Sequence, residues 1–256
     1  MKYLIFTIAL LVFLLPSEES FGENISKEIP FFEDKDQRSR LHLEVQRFIL
    51  ENPEIIIEAI RLYQQKKEEE KSKVELQLLK SKSNDLFEDN YSFVGGNENG
   101  KIRIVEFIDY KCSYCKQNHK IIWDMLDRNP DVKLIVKEFP ILGNQSIIAA
   151  KALLAILLSD TNEVYKAFSE MLIEYNGPIN INILKTFASR AGSTISDLNL
   201  AINSEQVSFL LAKNVSLAES LSIQGTPTFV IEDRIVRGFI SKNEFEKLVE
   251  LVREKL

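Results

Sequence analysis

What most limits the fold of this chain is the order of two apolar, β-branched runs about a helical stretch: "KIRIVEFI", Lys101 to Ile108, and "DVKLIVKEFP", Asp131 to Pro140. Both read as buried strands. Parallel neighbours need a crossover, and the segment from about Cys112 to Arg128 supplies a helix for it. The spacing therefore predicts a βαβ unit. From about Ser146 to Leu221 the apolar spacing is helical almost throughout, with punctuation at Asp160-Thr161, Gly177-Pro178 and Gly192-Ser193. "TPTFVI", Thr226 to Ile231, and "RIVRG", Arg234 to Gly238, then read as a hairpin, and Ser241 caps a closing helix through Lys255. These elements predict an α/β domain over 91–256 whose sheet is split by a helical insertion at about 141–221.

The other end of the chain has a different character. After Met1-Lys2-Tyr3 an unbroken apolar run extends from Leu4 to Leu15 and stops at Pro16. It is short for a membrane span but matches the apolar centre of a secretory signal, with Lys2 as its positive start. Ser20 and Gly22 place small residues where a signal peptidase inspects, so the reading is a signal peptide over 1–22, cleaved before Glu23 on export. An uncleaved membrane anchor is the alternative. Residues 23–90 read as a helical segment with a charged linker. Leu41, Val45, Phe48 and Ile49 recur at helical spacing, a helix ends near Leu50, and Asn52-Pro53 starts another with Ile56, Ala59, Ile60 and Tyr63 on one face. Such a segment is too small to hold a core, so its apolar stripe needs a partner chain or a neighbouring helix. The run Gln64 to Lys73 has no apolar residue and reads as a solvated helix face or a spacer.

Both cysteines of the 256 residues, Cys112 and Cys115, lie at the start of the crossover helix, spaced C-x-x-C, with His119 four residues further on. Closing so short a loop with a disulfide adds little stability to a chain of this size, so the pair is there for reactivity. At the first turn of a helix the backbone N–H groups lack internal partners and the helix dipole is positive, which favours thiolate at Cys112. Cys112 is therefore the expected nucleophile. Cys115, one turn further in, would attack the mixed disulfide that Cys112 forms and so release the substrate. Between them, exposed N–H groups and the Ser113 hydroxyl can donate to the thiolate, so Ser113 and Tyr114 read as tuning positions. A zinc reading would use Cys112, Cys115 and His119, but a structural zinc takes a fourth ligand, and His42 is far away in sequence. His119 reads as a partly buried helix residue. The formal net charge of -6 gives no broad basic field, which removes nucleic acid as a partner.

"VEFIDYKCSYCK", "LIVKEFPILG", the helical insertion and "GTPTFVI" together resemble the DsbA-like thioredoxin-fold oxidoreductases of the bacterial periplasm, over roughly 91–256. The resemblance implies a thioredoxin-like fold, a redox disulfide between Cys112 and Cys115 with no other cofactor and no metal, and a periplasmic location. It implies that Glu106 is the buried acid under the redox pair, with Lys137 as its charge partner, and that Thr226-Pro227 is the cis-proline loop that meets substrate backbone. Ser113 stands where proline is commonest in that family, and Thr226 is closer to its isomerase-type members than to its oxidases. "ENPEIIIEAIRLYQQKKEEE", Glu51 to Glu70, is similar to the N-terminal extension of ScsC-like proteins, which implies a homotrimer assembled through residues 36–80.

The reading that results is an oligomeric protein disulfide isomerase acting on misoxidised exported proteins and kept reduced by a DsbD-like membrane reductase. The rival within the class is a monomeric dithiol oxidase reoxidised by a DsbB-like partner. A binding or chaperone module with incidental thiols is the rival from outside it.

Overall fold

The structure is a computed structural model and describes residues 34–256. The signal peptide expected over 1–22 and its cleavage site lie outside the described residues. The chain divides into two compact units, one ending at Lys66 and the other running from Lys67 to Leu256.

The first unit is helical. Helix α1 (Lys35–Glu51) is capped by Asp34, whose carboxylate accepts the Asp36 N–H at 3.0 Å. It ends where the Asn52 side-chain amide donates to the Phe48 carbonyl at 2.8 Å. Pro53 follows, and α2 (Glu54–Ser81) begins. The charged run at 64–73 is helix throughout, part of α2. Among the described residues none of α1 is buried, and Val45, Phe48, Ile56, Ile60 and Tyr63 are exposed.

The second unit holds a five-stranded sheet in the order β1-β3-β2-β4-β5. Its centre is the βαβ unit read from the sequence: β2 (Ile102–Ile108), α4 (Ser113–Leu126) and β3 (Val132–Glu138), with β2 and β3 parallel. The hairpin β4 (Thr228–Ile231) and β5 (Arg234–Arg237) joins β2 antiparallel. Between β3 and β4 stand five helices: α5 (Asn144–Ser159), α6 (Asn162–Glu174), α7 (Ile181–Ala191), α8 (Leu198–Ile202) and α9 (Glu205–Ser220). The last helix, α10 (Lys242–Arg253), starts with a capping box in which Ser241 and Glu244 satisfy each other's backbone N–H.

Because strand side chains alternate, the sheet has two distinct apolar faces. Ile104, Ile108, Leu134, Val136 and Phe229 pack with α4, α10 and the insertion helices. Val105, Phe107 and Ile135 pack on the opposite face with Leu217 of α9 and with Leu79, Leu86 and Phe87 from the end of α2 and from α3 (Ser83–Phe87). Those three residues carry the core of the compact unit to the N-terminal side of residue 91.

Strand β1 (Phe93–Gly96), antiparallel to β3, is an element that sequence reasoning did not identify. Two of its four residues are glycine, which weakens a strand signal. Packing requires them: a Cβ on Gly95 would come within 3.1 Å of the Trp123 ring, and Gly96 has φ +71.

Candidate active site

Strand β2 ends at Ile108, and the turn Asp109-Tyr110-Lys111 delivers Cys112 to the N-cap of α4. Asp109 builds this turn. Its buried carboxylate accepts the N–H of Lys111 at 2.8 Å and, from the loop after β3, those of Ile141 at 2.8 Å and Leu142 at 3.0 Å. Its main-chain carbonyl accepts the Cys112 N–H at 3.0 Å. Sequence reasoning passed over Asp109, although an aspartate directly after a strand and two residues before an N–H that it can accept is the local signature of an Asx turn.

The two thiols differ in reach. Cys112 is 8% exposed and Cys115 0%, so a partner sulfur can approach only the first. Cys112 is pulled down to about 5 by the hydrogen bond from the Cys115 thiol, then by Thr226 and by the backbone N–H groups of Cys115 and Tyr114, against the opposing effect of burial. Cys115 moves the other way, pushed far above the usual thiol range by its bond to Cys112, by burial and by Glu106 beneath it. The pair is thus split into one thiolate at neutral pH and one firmly held thiol.

Across from Cys112 the Thr226–Pro227 peptide bond is cis, and the Thr226 carbonyl accepts the Cys112 thiol hydrogen at 3.1 Å. The Thr226 hydroxyl is buried without a partner in that arrangement, which leaves it free to donate to the sulfur as a thiolate. Ser113 is exposed at the first turn of α4. Tyr114 is 56% exposed, with its ring 6.4 Å from that of Phe239. Two lysines flank the turn: Lys111 donates to the Gly177 carbonyl at 3.4 Å, and Lys116 to the Tyr175 carbonyl and to Asn176 Oδ1 at 3.2 Å.

Glu106 is buried on the sheet face that carries α4, flanked by Val136 on β3 and Phe229 on β4, and burial raises it to about 8. Lys137 does not reach it. In the parallel register Lys137 sits opposite Phe107, one residue along from Glu106, and so points to the other face of the sheet. There its ammonium binds the Asp89 carboxylate and donates to the Asp85 carbonyl at 2.8 Å. The expected Glu106–Lys137 pair is therefore corrected to a Lys137–Asp89 pair, and Lys137 leaves the site. His119 faces Trp123, with ring centroids 6.0 Å apart, and burial first and Lys166 second lower it to about 4, which keeps it neutral. Among the described residues no group of three or more His, Cys, Asp and Glu side chains gathers as a metal would need.

A family of sequences described as thioredoxin matches residues 88–251. The chain belongs to this thioredoxin family. Its family and the relatives below support a role as a thiol–disulfide oxidoreductase. A thioredoxin-like oxidoreductase from Silicibacter pomeroyi has a similar structure, with a TM-score of 0.62 and 33% identity, over 67% of this chain and 97% of that one. Proteus mirabilis ScsC in a transitional conformation is similar over 87% of this chain and 100% of its own, with a TM-score of 0.65 and 26% identity. The disulfide bond formation protein D of Bacillus subtilis is 26% identical over 167 residues, 60% of this chain and 74% of that protein.

Proposed function

We propose that this thioredoxin-family oxidoreductase works as an exported, oligomeric disulfide isomerase on non-native disulfides of client proteins in the periplasm. The observation that carries this reading is the uncovered apolar face of the N-terminal helices, where Val45, Phe48, Ile56 and Ile60 have no core of their own. The likeness to ScsC, which extends over those helices as well as the catalytic unit, supports it. Helices of this kind gather several copies, with a homotrimer through residues 36–80 as the arrangement favoured here, and each client then meets more than one thiolate at high effective concentration.

The chemistry follows from the split pair. The Cys112 thiolate attacks one sulfur of a client disulfide; a Cys112–client bond forms as the client bond breaks, and the second client sulfur leaves as thiolate. That thiolate can attack another client disulfide and so rearrange the set, ending with displacement of Cys112. If it does not, Cys115 attacks Cys112, which releases a reduced client and leaves the Cys112–Cys115 disulfide. A DsbD-like membrane reductase would then return the dithiol. In this scheme Thr226 and Pro227 pair with client backbone, a reading supported by the contact of the Thr226 carbonyl with the Cys112 sulfur at 3.1 Å.

The name of the Bacillus subtilis relative favours a second reading, a dithiol oxidase that donates its disulfide and is reoxidised by a DsbB-like partner. Alkylation of thiols in intact cells separates the two. The isomerase is recovered with Cys112 and Cys115 mostly reduced; recovery mostly as the disulfide would reject it in favour of the oxidase.

A further inference from the structure

The loop between α6 and α7 passes beside the redox turn and is held there by two lysines. Lys116 follows Cys112 by four residues, so the two share a face of α4, and its main-chain N–H donates to the Cys112 carbonyl at 3.1 Å. The Lys116 ammonium donates to the Tyr175 carbonyl and to Asn176 Oδ1, the latter at 3.2 Å. Lys111 reaches the Gly177 carbonyl at 3.4 Å. These contacts fix the dipeptide Asn176-Gly177 at the rim of the redox centre, where the thiol chemistry makes no use of it.

An asparagine followed by glycine can react with itself. The main-chain nitrogen of the second residue attacks the side-chain carbonyl carbon of the first, and glycine, with no Cβ, lets that nitrogen approach. The sequence holds two such pairs, Asn99-Gly100 and Asn176-Gly177, and both asparagines are exposed. At the first pair the attacking nitrogen is engaged: the Gly100 N–H donates to the Asn97 carbonyl at 2.8 Å, and the Asn99 N–H to Asn97 Oδ1 at 2.9 Å. At the second, the Gly177 N–H has no acceptor among the described residues. Lys116, by donating to Asn176 Oδ1, also stabilises the negative charge that develops on that oxygen as its carbon is attacked. Packing retains the glycine, because a Cβ on Gly177 would run into the hydroxyl of Tyr175, whose ring stands edge-on to Phe187.

We propose that Asn176 is a site of self-modification, at which Lys116 promotes loss of the side-chain amide and the carboxylate that results puts a negative charge beside Cys112. The Gly177 nitrogen gives its proton to solvent and bonds to Asn176 Cγ; the bond from Cγ to the side-chain nitrogen breaks, and that nitrogen takes up a proton and leaves as ammonia. Water then opens the cyclic imide at one of its two carbonyls, which yields aspartate or isoaspartate. The sum is one water consumed and one ammonia released, with nothing oxidised or reduced. Either product carries a carboxylate where a neutral amide stood, and it offsets the Lys116 ammonium on the helix face of Cys112. Anionic reagents, thiolates such as glutathione among them, then approach Cys112 more slowly, a consequence that rests on the redox role assigned to that thiol.

The test ages the chain from Glu23 onward at mildly alkaline pH and follows the peptides that contain residues 99 and 176 by mass and by their isoaspartate content. Asn176 should convert faster than Asn99. Lys116→Met should slow conversion of Asn176 by about tenfold, which is what one hydrogen bond to a developing charge contributes, and leave Asn99 unchanged. Equal rates at the two sites of the wild type, or a rate at Asn176 that Lys116→Met leaves unchanged or raises, would overturn the proposal. If Lys116→Met does not fold, the comparison of the two sites in the wild type decides. Asn176→Asp reproduces the product: alkylation of Cys112 by anionic iodoacetate should slow about twofold relative to neutral iodoacetamide, the effect in water of one charge about 10 Å away. An unchanged ratio of the two reagents would overturn the effect on Cys112, whereas a Cys112 that neither reagent alkylates would remove the redox role and leave the modification to stand on its own rates.

Discussion

Replacing Cys115 with alanine removes the largest influence that holds Cys112 near 5, the hydrogen bond from the Cys115 thiol to the Cys112 sulfur. A hydrogen bond to a charged group contributes about 1.5–3 kcal/mol. At about 1.4 kcal/mol per pH unit this is about one to two units, so Cys112 in the variant should titrate between about 6 and 7. Nucleophilicity rises with basicity at a slope of about 0.4–0.5, so the variant's thiolate is intrinsically about 2.5- to 10-fold more reactive. Iodoacetamide reads both effects, because Cys112 is then the only cysteine of the chain. Above about pH 8, where both proteins are fully ionised, Cys115→Ala should alkylate faster by that factor; at about pH 4.5, where its thiolate is scarce, about three- to eightfold more slowly. The two rate profiles must cross. Profiles that coincide at both ends would refute the claim that Cys115 sets the state of Cys112.

The same variant, expressed in cells, should accumulate client adducts at Cys112 that reductant releases; an adduct-free exported fraction would contradict the division of roles between the thiols. The double substitution Ile56→Asp, Ile60→Asp should lower the mass measured by light scattering, and an unchanged mass would reject assembly through the N-terminal helices. Lys137→Met leaves the Asp89 carboxylate buried without its ammonium, so urea unfolding should show a loss of about 3–5 kcal/mol. Burial opposes the Asp89 charge, but Lys137 outweighs it and holds the acid below its ordinary value. That contribution is therefore present above about pH 3.9 and lost only as the pH falls through the lower folded value. Because Lys137 faces away from Glu106, the Cys112 titration should not move in Lys137→Met; a shift would show that the lysine belongs to the site after all. Asp109→Asn presents an amide donor to backbone N–H groups that now find an acceptor, at a cost of about 1–3 kcal/mol for each one left unpaired, and should show lower thermal stability than the wild type.

The central βαβ unit, the hairpin and the closing helix were legible because each is local: β-branched runs, a C-x-x-C at a helix start, and a capping serine at Ser241. Strand β1 was not, since its two glycines are needed by Trp123 and by a positive φ, neither of which periodicity carries. The start of the compact unit was hidden for a related reason. Leu79, Leu86 and Phe87 are few and lie next to a charged run, and only the sheet face they cover makes them core. In the site, the thiols announced themselves through spacing, whereas the direction of Lys137 depended on strand phase. A one-residue difference from Glu106 in register decides which face a side chain takes, and a sequence read without pairing cannot supply it.

The account's central claim is that the N-terminal helices turn a redox domain into an isomerase, and recovery of activity from scrambled ribonuclease tests it most directly. The chain from Glu23 onward is compared with one that begins at Lys67, where the compact unit with its complete core starts. Both should oxidise or reduce a small peptide substrate equally well, because both carry the Cys112–Cys115 site, but only the longer one should restore ribonuclease activity. Equal recovery by the two would contradict the claim, as would peptide oxidation by both with recovery by neither.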